Sequence, residues 1–120
     1  MLSPSGRYLW ATSRSQAAAN QTGQISVFLL ADDGAIIKKM FMVNTTTTGG
    51  IANAISPAFW SDEYAAMADN SNRVQNGYVQ IWKMQGRKET SDGIEYQTAV
   101  PVAKADMGDT GCCANVIWYS

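Results

Sequence analysis

Apolar and polar positions alternate along the chain in short runs, separated by polar connections marked with glycine, and this period of two predicts β-strands throughout. Residues 7–13 follow the turn-forming Ser3-Pro4-Ser5-Gly6 and carry aromatic and β-compatible side chains, so a strand is expected there. Residues 24–30 form the next, with Ile25, Val27 and Leu29 on one face, and Asp33-Gly34 supplies the turn that ends it. A third strand is expected over 35–43, where Ile37, Lys39 and Phe41 alternate with Ile36, Lys38, Met40 and Met42. Lysines on both of its faces mark it as an outer, partly exposed strand. The pattern resumes with a short strand over 51–56, a turn over 57–62 and a strand over 63–68. A cleanly alternating strand over 78–84 follows, then an outer one over 94–102 with Pro101 near its end. Connections are expected over 14–23, 44–50, 69–77, 86–93 and 104–111, and a last strand over 113–119.

The runs repeat. Gly50-Ile51-Ala52-Asn53-Ala54-Ile55 is echoed by Gly111-Cys112-Cys113-Ala114-Asn115-Val116-Ile117, and the strand pair at Tyr8 and Ile25 recurs at Tyr64 and Val79, with Phe28 and Trp82 as the aromatics of the second strands. A period of roughly 50 to 60 residues holding four strands is that of a propeller blade. The expected fold is therefore all-β: a partial β-propeller of about two four-stranded antiparallel blades plus a closing strand. Residues 1–50 make an incomplete blade lacking its first strand, 51–110 a full blade, and 111–120 the first strand of the next or closing blade.

Composition narrows the function. With 46% hydrophobic and 16% charged residues, the chain of 120 residues is neither a solvating tail nor a disordered segment. Nine basic against ten acidic residues, with no basic cluster longer than Lys38-Lys39 or Arg87-Lys88, argue against nucleic acid as a partner. No apolar run approaches a membrane span and the first residues do not read as a signal peptide, so no membrane partner and a cytoplasmic location are expected, with secretion the alternative if a further segment precedes Met1.

Candidate chemistry is sparse. Histidine is absent, which removes the side chain best suited to acid–base work near neutrality. Asp32, Asp33, Asp62, Glu63, Asp106 and Asp109 lie in turns and loops without the spacing of a calcium loop, so no metal or cofactor is expected. The adjacent Cys112 and Cys113 read as two free thiols with no base to activate them. Gly49-Gly50 lacks the lysine and spacing of a phosphate loop. The tryptophans Trp10, Trp60, Trp82 and Trp118 are best explained by packing between blades. Asn53 and Asn115 each follow the glycine that opens an inner strand, where the amide either satisfies loop backbone groups or contacts a substrate carboxylate.

Three stretches carry a resemblance: 3–14 (Ser-Pro-Ser-Gly-Arg-Tyr-Leu-Trp-Ala-Thr-Ser-Arg), 49–57 (Gly-Gly-Ile-Ala-Asn-Ala-Ile-Ser-Pro) with Trp60-Ser61-Asp62-Glu63, and 114–119 (Ala-Asn-Val-Ile-Trp-Tyr). In this order they resemble the C-terminal third of the fungal carboxy-cis,cis-muconate cyclase family, lactonase-like seven-bladed propellers of aromatic catabolism. The resemblance implies reversible closure of 3-carboxy-cis,cis-muconate to its lactone. It also implies that the last strand pairs near the protein's N-terminus to seal the ring. Arg14 matches an arginine of that family lining the central channel, and is the candidate catalytic and substrate-binding residue, because a guanidinium grips carboxylates at two points. Read without the resemblance, Arg14 is a solvated arginine at a strand end. Arg7 reads as a surface residue, and Arg73 and Arg87 as solvated. Where the family has a histidine after its paired glycines, this chain has Ile51, and the family's catalytic histidine is expected in a part that the chain does not contain.

The leading expectation is a carboxymuconate cyclase-like isomerase acting on a small tricarboxylate, with the isolated chain inactive and further blades supplied by a longer chain or a homo-oligomer. Two others compete. One is a non-catalytic propeller module for binding or assembly, since fold does not decide function. The other is a lactone hydrolase-like propeller, whose water-activating groups the sequence does not display.

Overall fold

Alternation becomes pairing: strands that bury every second side chain lie antiparallel and share their apolar faces. The computed structural model describes residues 1–13, 24–44, 57–68 and 78–106. Among them, nine strands follow in chain order: β1 (Tyr8–Ser13), β2 (Gln24–Leu30), β3 (Ile36–Asn44), β4 (Ala58–Phe59), β5 (Tyr64–Ala68), β6 (Tyr78–Gln85), β7 (Lys88–Thr90), β8 (Gly93–Glu95) and β9 (Thr98–Asp106). They make a three-stranded sheet β1-β2-β3, a four-stranded sheet β4-β5-β6-β9 and a two-stranded hairpin β7-β8, with every pairing antiparallel. The described residues are thus all-β and multi-sheeted. Among them no helix is long and apolar enough to cross a membrane.

The first hairpin obeys its turn chemistry. Gly34 takes φ 88°, its amide donates to the Ala31 carbonyl at 2.9 Å, and Asp33 Oδ1 accepts from the Ala35 amide at 3.0 Å. The chain before β1 is engaged as well. The Ser3 amide donates to the Tyr8 carbonyl at 2.9 Å, the Trp10 amide to the Met1 carbonyl at 3.0 Å, and Leu2 bridges Leu9. Residues 1–3 therefore lie along the edge of β1 much as β4 lies along β5.

Elsewhere the strands depart from expectation. Within the turn expected over 57–62, Ala58 and Phe59 pair with Ala66 and Ala65. The polar connection expected over 86–93 holds β7 and the start of β8, whose ladder pairs Lys88 with Glu95 and Thr90 with Gly93. The outer strand expected over 94–102 divides into β8 and β9, and β9 runs on to Asp106 because β6 still offers Tyr78 to Ile81 as partners. Pro101 sits inside β9, tolerated because β9 is the sheet's edge and the ladder shifts register beside it, between Ile81 and Trp82. The strands expected over 51–56 and 113–119 lie outside the described residues.

The core lies between the two larger sheets. Tyr8, Trp10, Ile25, Val27, Leu29, Phe41 and Val43 from the first face Ala65, Met67, Trp82, Met84 and Ala99 from the second. Trp10 meets Phe59 edge-on with centroids 5.6 Å apart, and Tyr8 meets Tyr96 at 5.7 Å. Full burial of each large side chain contributes about 1.5–3 kcal/mol. The two tryptophan N–H groups fare differently. Trp82 Nε1 donates to the buried Gln80 Oε1 at 3.2 Å, while Trp10 Nε1 has no partner among the described residues. The sheets also begin alike: the Leu30 amide donates to the Arg7 carbonyl at 2.8 Å, and the Met84 amide to the Glu63 carbonyl at 2.8 Å. Tyr8 opposes Leu29 as Tyr64 opposes Lys83.

Candidate functional site

Antiparallel pairing sorts the strand ends into two rims. Ser13, Gln24, Asn44, Ala68, Tyr78 and Asp106 mark one, and the turns before β1, between β2 and β3, before β5 and between β6 and β9 mark the other. β1 ends one residue short of Arg14, so Arg14 follows from the first rim in sequence. Arg14, Asn53 and Asn115 themselves lie outside the described residues, as do Ile51, Cys112, Cys113 and Trp118.

The second rim holds a polar cluster that no single sequence window displays. Arg7 pairs with Asp32, and its Nη2 donates to the Asp92 carbonyl at 2.9 Å. Arg7 was expected at the surface, but its side chain is only 30% exposed, wedged between the first sheet and the β7-β8 hairpin. The Tyr8 hydroxyl donates to the Ile94 carbonyl at 2.7 Å, and Lys38 pairs with Glu95 at 2.6 Å. The Ser5 amide donates to Asp62 Oδ1 at 3.0 Å, and the Tyr96 hydroxyl to Glu63 Oε1 at 2.8 Å. Residues from both sheets and the hairpin thus meet through polar contacts above the apolar core.

Beside them opens a cleft of about 300 Å³ lined by Glu63, Lys83, Met84, Gln85, Gly86, Arg87 and Tyr96. Its polar groups are already committed. Burial, then the hydrogen bond to Glu63, pushes the Tyr96 phenol well above its ordinary range, so it serves as a donor and not as a base. Lys83 Nζ lies 5.4 Å from the Tyr64 ring centroid, and Arg87 pairs with Glu89 at 3.3 Å while remaining half exposed. Among the described residues no group of three or more Cys, Asp or Glu converges as metal ligands. The cations that line the cleft, Lys83 and Arg87, thus already face the Tyr64 ring and Glu89, and Glu63 accepts from Tyr96.

The other sequence readings divide by burial. Trp10 and Trp82 fill the inter-sheet core, whereas Trp60 is 64% exposed and rests against Tyr64 with centroids 5.3 Å apart. Sequence reasoning passed over Glu63 and Tyr96 as partners, since 33 positions separate them and neither sits in a motif.

No family model matches the chain. Over 115 residues it is 36% identical to carboxy-cis,cis-muconate cyclase of Neurospora crassa, an alignment that takes in 96% of this chain and 27% of that protein's length. The chain is similar to this fungal muconate cyclase along a stretch that makes up about a quarter of the relative.

Proposed function

We propose that this chain forms part of a carboxymuconate cyclase-like enzyme that closes 3-carboxy-cis,cis-muconate to its lactone. The observation that carries the reading is identity over nearly the whole chain to a protein named for that cyclisation. Two antiparallel sheets packed face to face, and opening with the same hydrogen bonds, support their assignment as successive blades of a propeller. In this reading residues 1–50 and 51–110 are those blades, 111–120 starts another, and the rest of the ring comes from outside the 120 residues.

The reaction needs fixed positive charge. One substrate carboxylate oxygen adds to a C=C bond, the displaced electron pair develops as an enolate beside another carboxylate, and a proton is delivered to that carbon. A guanidinium opposite the developing charge lowers the barrier. Arg14 is assigned that role, with Asn53 and Asn115 as hydrogen-bond partners of substrate carboxylates. The acid is assigned to a part of the enzyme beyond this chain, which contains no histidine.

The test is a chimera in which this chain replaces the matching segment of the Neurospora crassa cyclase, followed by loss of muconate absorbance. Turnover is expected in the chimera, with a fall of about 10²-fold or more in the Arg14→Ala variant and none from the chain alone. A folded, inactive chimera, or full turnover after Arg14→Ala, overturns the assignment.

A further inference from the structure

Two Asp-Gly pairs lie at hairpin turns, Asp33-Gly34 between β2 and β3 and Asp92-Gly93 between β7 and β8. A glycine after an aspartate carries no Cβ to shield its amide, so that nitrogen can close on the aspartate's own side chain. The two pairs are held differently. Asp33 Oδ1 accepts from the Ala35 amide at 3.0 Å, a bond to be lost before its carboxyl can turn. At Asp92 it is the backbone that is held. The Asp92 amide donates to Thr90 Oγ1 at 3.2 Å and the Asp92 carbonyl accepts from Arg7 Nη2 at 2.9 Å, while among the described residues nothing donates to the carboxyl.

Arg7 is placed from two sides. Its Nη1 pairs with Asp32, and a Cβ on Gly93 would fall 2.7 Å from Nη2, so the glycine is what admits the guanidinium this close to the Asp92–Gly93 peptide. A cation is thus fixed on one particular carbonyl oxygen.

We infer that Asp92-Gly93 is a self-modifying peptide, at which the Arg7 guanidinium promotes conversion of Asp92 to isoaspartate. In the first step the Gly93 nitrogen loses its proton and bonds to Asp92 Cγ, the Cγ–OH bond breaks, and one water leaves to give a five-membered imide. In the second, a water adds to the former Asp92 backbone carbonyl and the bond from that carbon to nitrogen breaks. The main chain then runs through Cγ, and the old carbonyl carbon becomes a carboxylate. One water leaves and one returns, with no other reactant. Negative charge gathers on the Asp92 carbonyl oxygen in both steps, as the deprotonated amide in the first and as an oxyanion and then a carboxylate in the second. That oxygen is the one Arg7 donates to, and a guanidinium holds an anionic oxygen more strongly than a neutral carbonyl.

The purified chain is incubated warm but below its melting temperature and digested with trypsin, and isoaspartate is counted by methyltransferase labelling in the peptides 89–104 and 15–38. In the folded chain Asp92 is expected to convert about tenfold faster than Asp33, the factor that one hydrogen bond sets on a rate. In urea, where neither set of contacts survives, the two rates should converge. Arg7→Met, shown to be folded by circular dichroism, should slow Asp92 about tenfold and leave Asp33 unchanged. The comparison with urea stands whether or not that variant folds. Asp33 converting as fast as Asp92 in the folded chain, a preference for Asp92 that persists in urea, or an Arg7→Met chain in which Asp92 converts as fast or faster overturns the inference.

Discussion

Gly34 and Gly93 both adopt positive φ, yet their substitution to alanine will read differently. At Gly34 a Cβ meets nothing within 4 Å, so Gly34→Ala isolates the backbone cost of about 1 kcal/mol. At Gly93 the Cβ falls 2.7 Å from Arg7 Nη2, which must leave the Asp92 carbonyl to make room. Gly93→Ala is expected to cost about 2 kcal/mol, the backbone penalty plus one hydrogen bond, in urea unfolding. The Asp33-Gly34 turn was legible because a turn is written in adjacent residues. The demand on Gly93 was not, because the guanidinium that imposes it is 86 positions away. Tyrosine ionisation belongs to this scale too. Burial holds the Tyr8 and Tyr96 phenols above their usual range, reinforced at Tyr96 by its bond to Glu63. Their contribution is whole below the ordinary tyrosine pKa of about 10 and is lost as pH rises through the higher folded values. Unfolding midpoints should therefore fall above about pH 10, less steeply in Tyr96→Phe. Glu95 runs the opposite way: the hydrogen bond from Lys38, then that from Thr90, holds its carboxyl below the usual range. Its contribution is present above the ordinary glutamate pKa and disappears as acid protonates it.

At the scale of the element, legibility followed wetting. β2 and β6 bury alternate residues, and their period of two survives in the sequence as Ile25-Val27-Leu29 and Gln80-Trp82-Met84. β7 is polar and mostly exposed on Lys88-Glu89-Thr90, so no alternation reveals it, and its pairing depends on β8. β5 is buried on both faces at Ala65, Ala66 and Met67. Ala65, opposite Trp82, leaves room for the indole, while Met67 fills space between the sheets. Met67→Ala should cost about 2–5 kcal/mol by thermal or urea unfolding, the range of buried large-to-small changes. A measured cost under about 1 kcal/mol would show that the core there closes without it.

For the whole molecule, the candidate site was legible only through resemblance. Arg14 belongs to no local pattern that separates a clamp from a solvated strand end, and the chemistry of a polyanionic substrate is what singles it out. The sheet-to-sheet contact was legible in outline, because the Tyr8 and Tyr64 strand pairs repeat. The polar tie between Arg7 and the hairpin carries a kinetic consequence. Arg7 and Asp92 stand 85 residues apart, and the Tyr8 hydroxyl reaches the Ile94 carbonyl across 86. None of these contacts forms until the intervening chain has been gathered in, so loop-closure entropy falls due before the bonds repay it. Tryptophan fluorescence, from Trp10 and Trp82 in that shared core, should recover slowly on refolding, over about milliseconds to seconds. If each hairpin zips while the core between the sheets is still wet, backbone circular dichroism should recover before that fluorescence does.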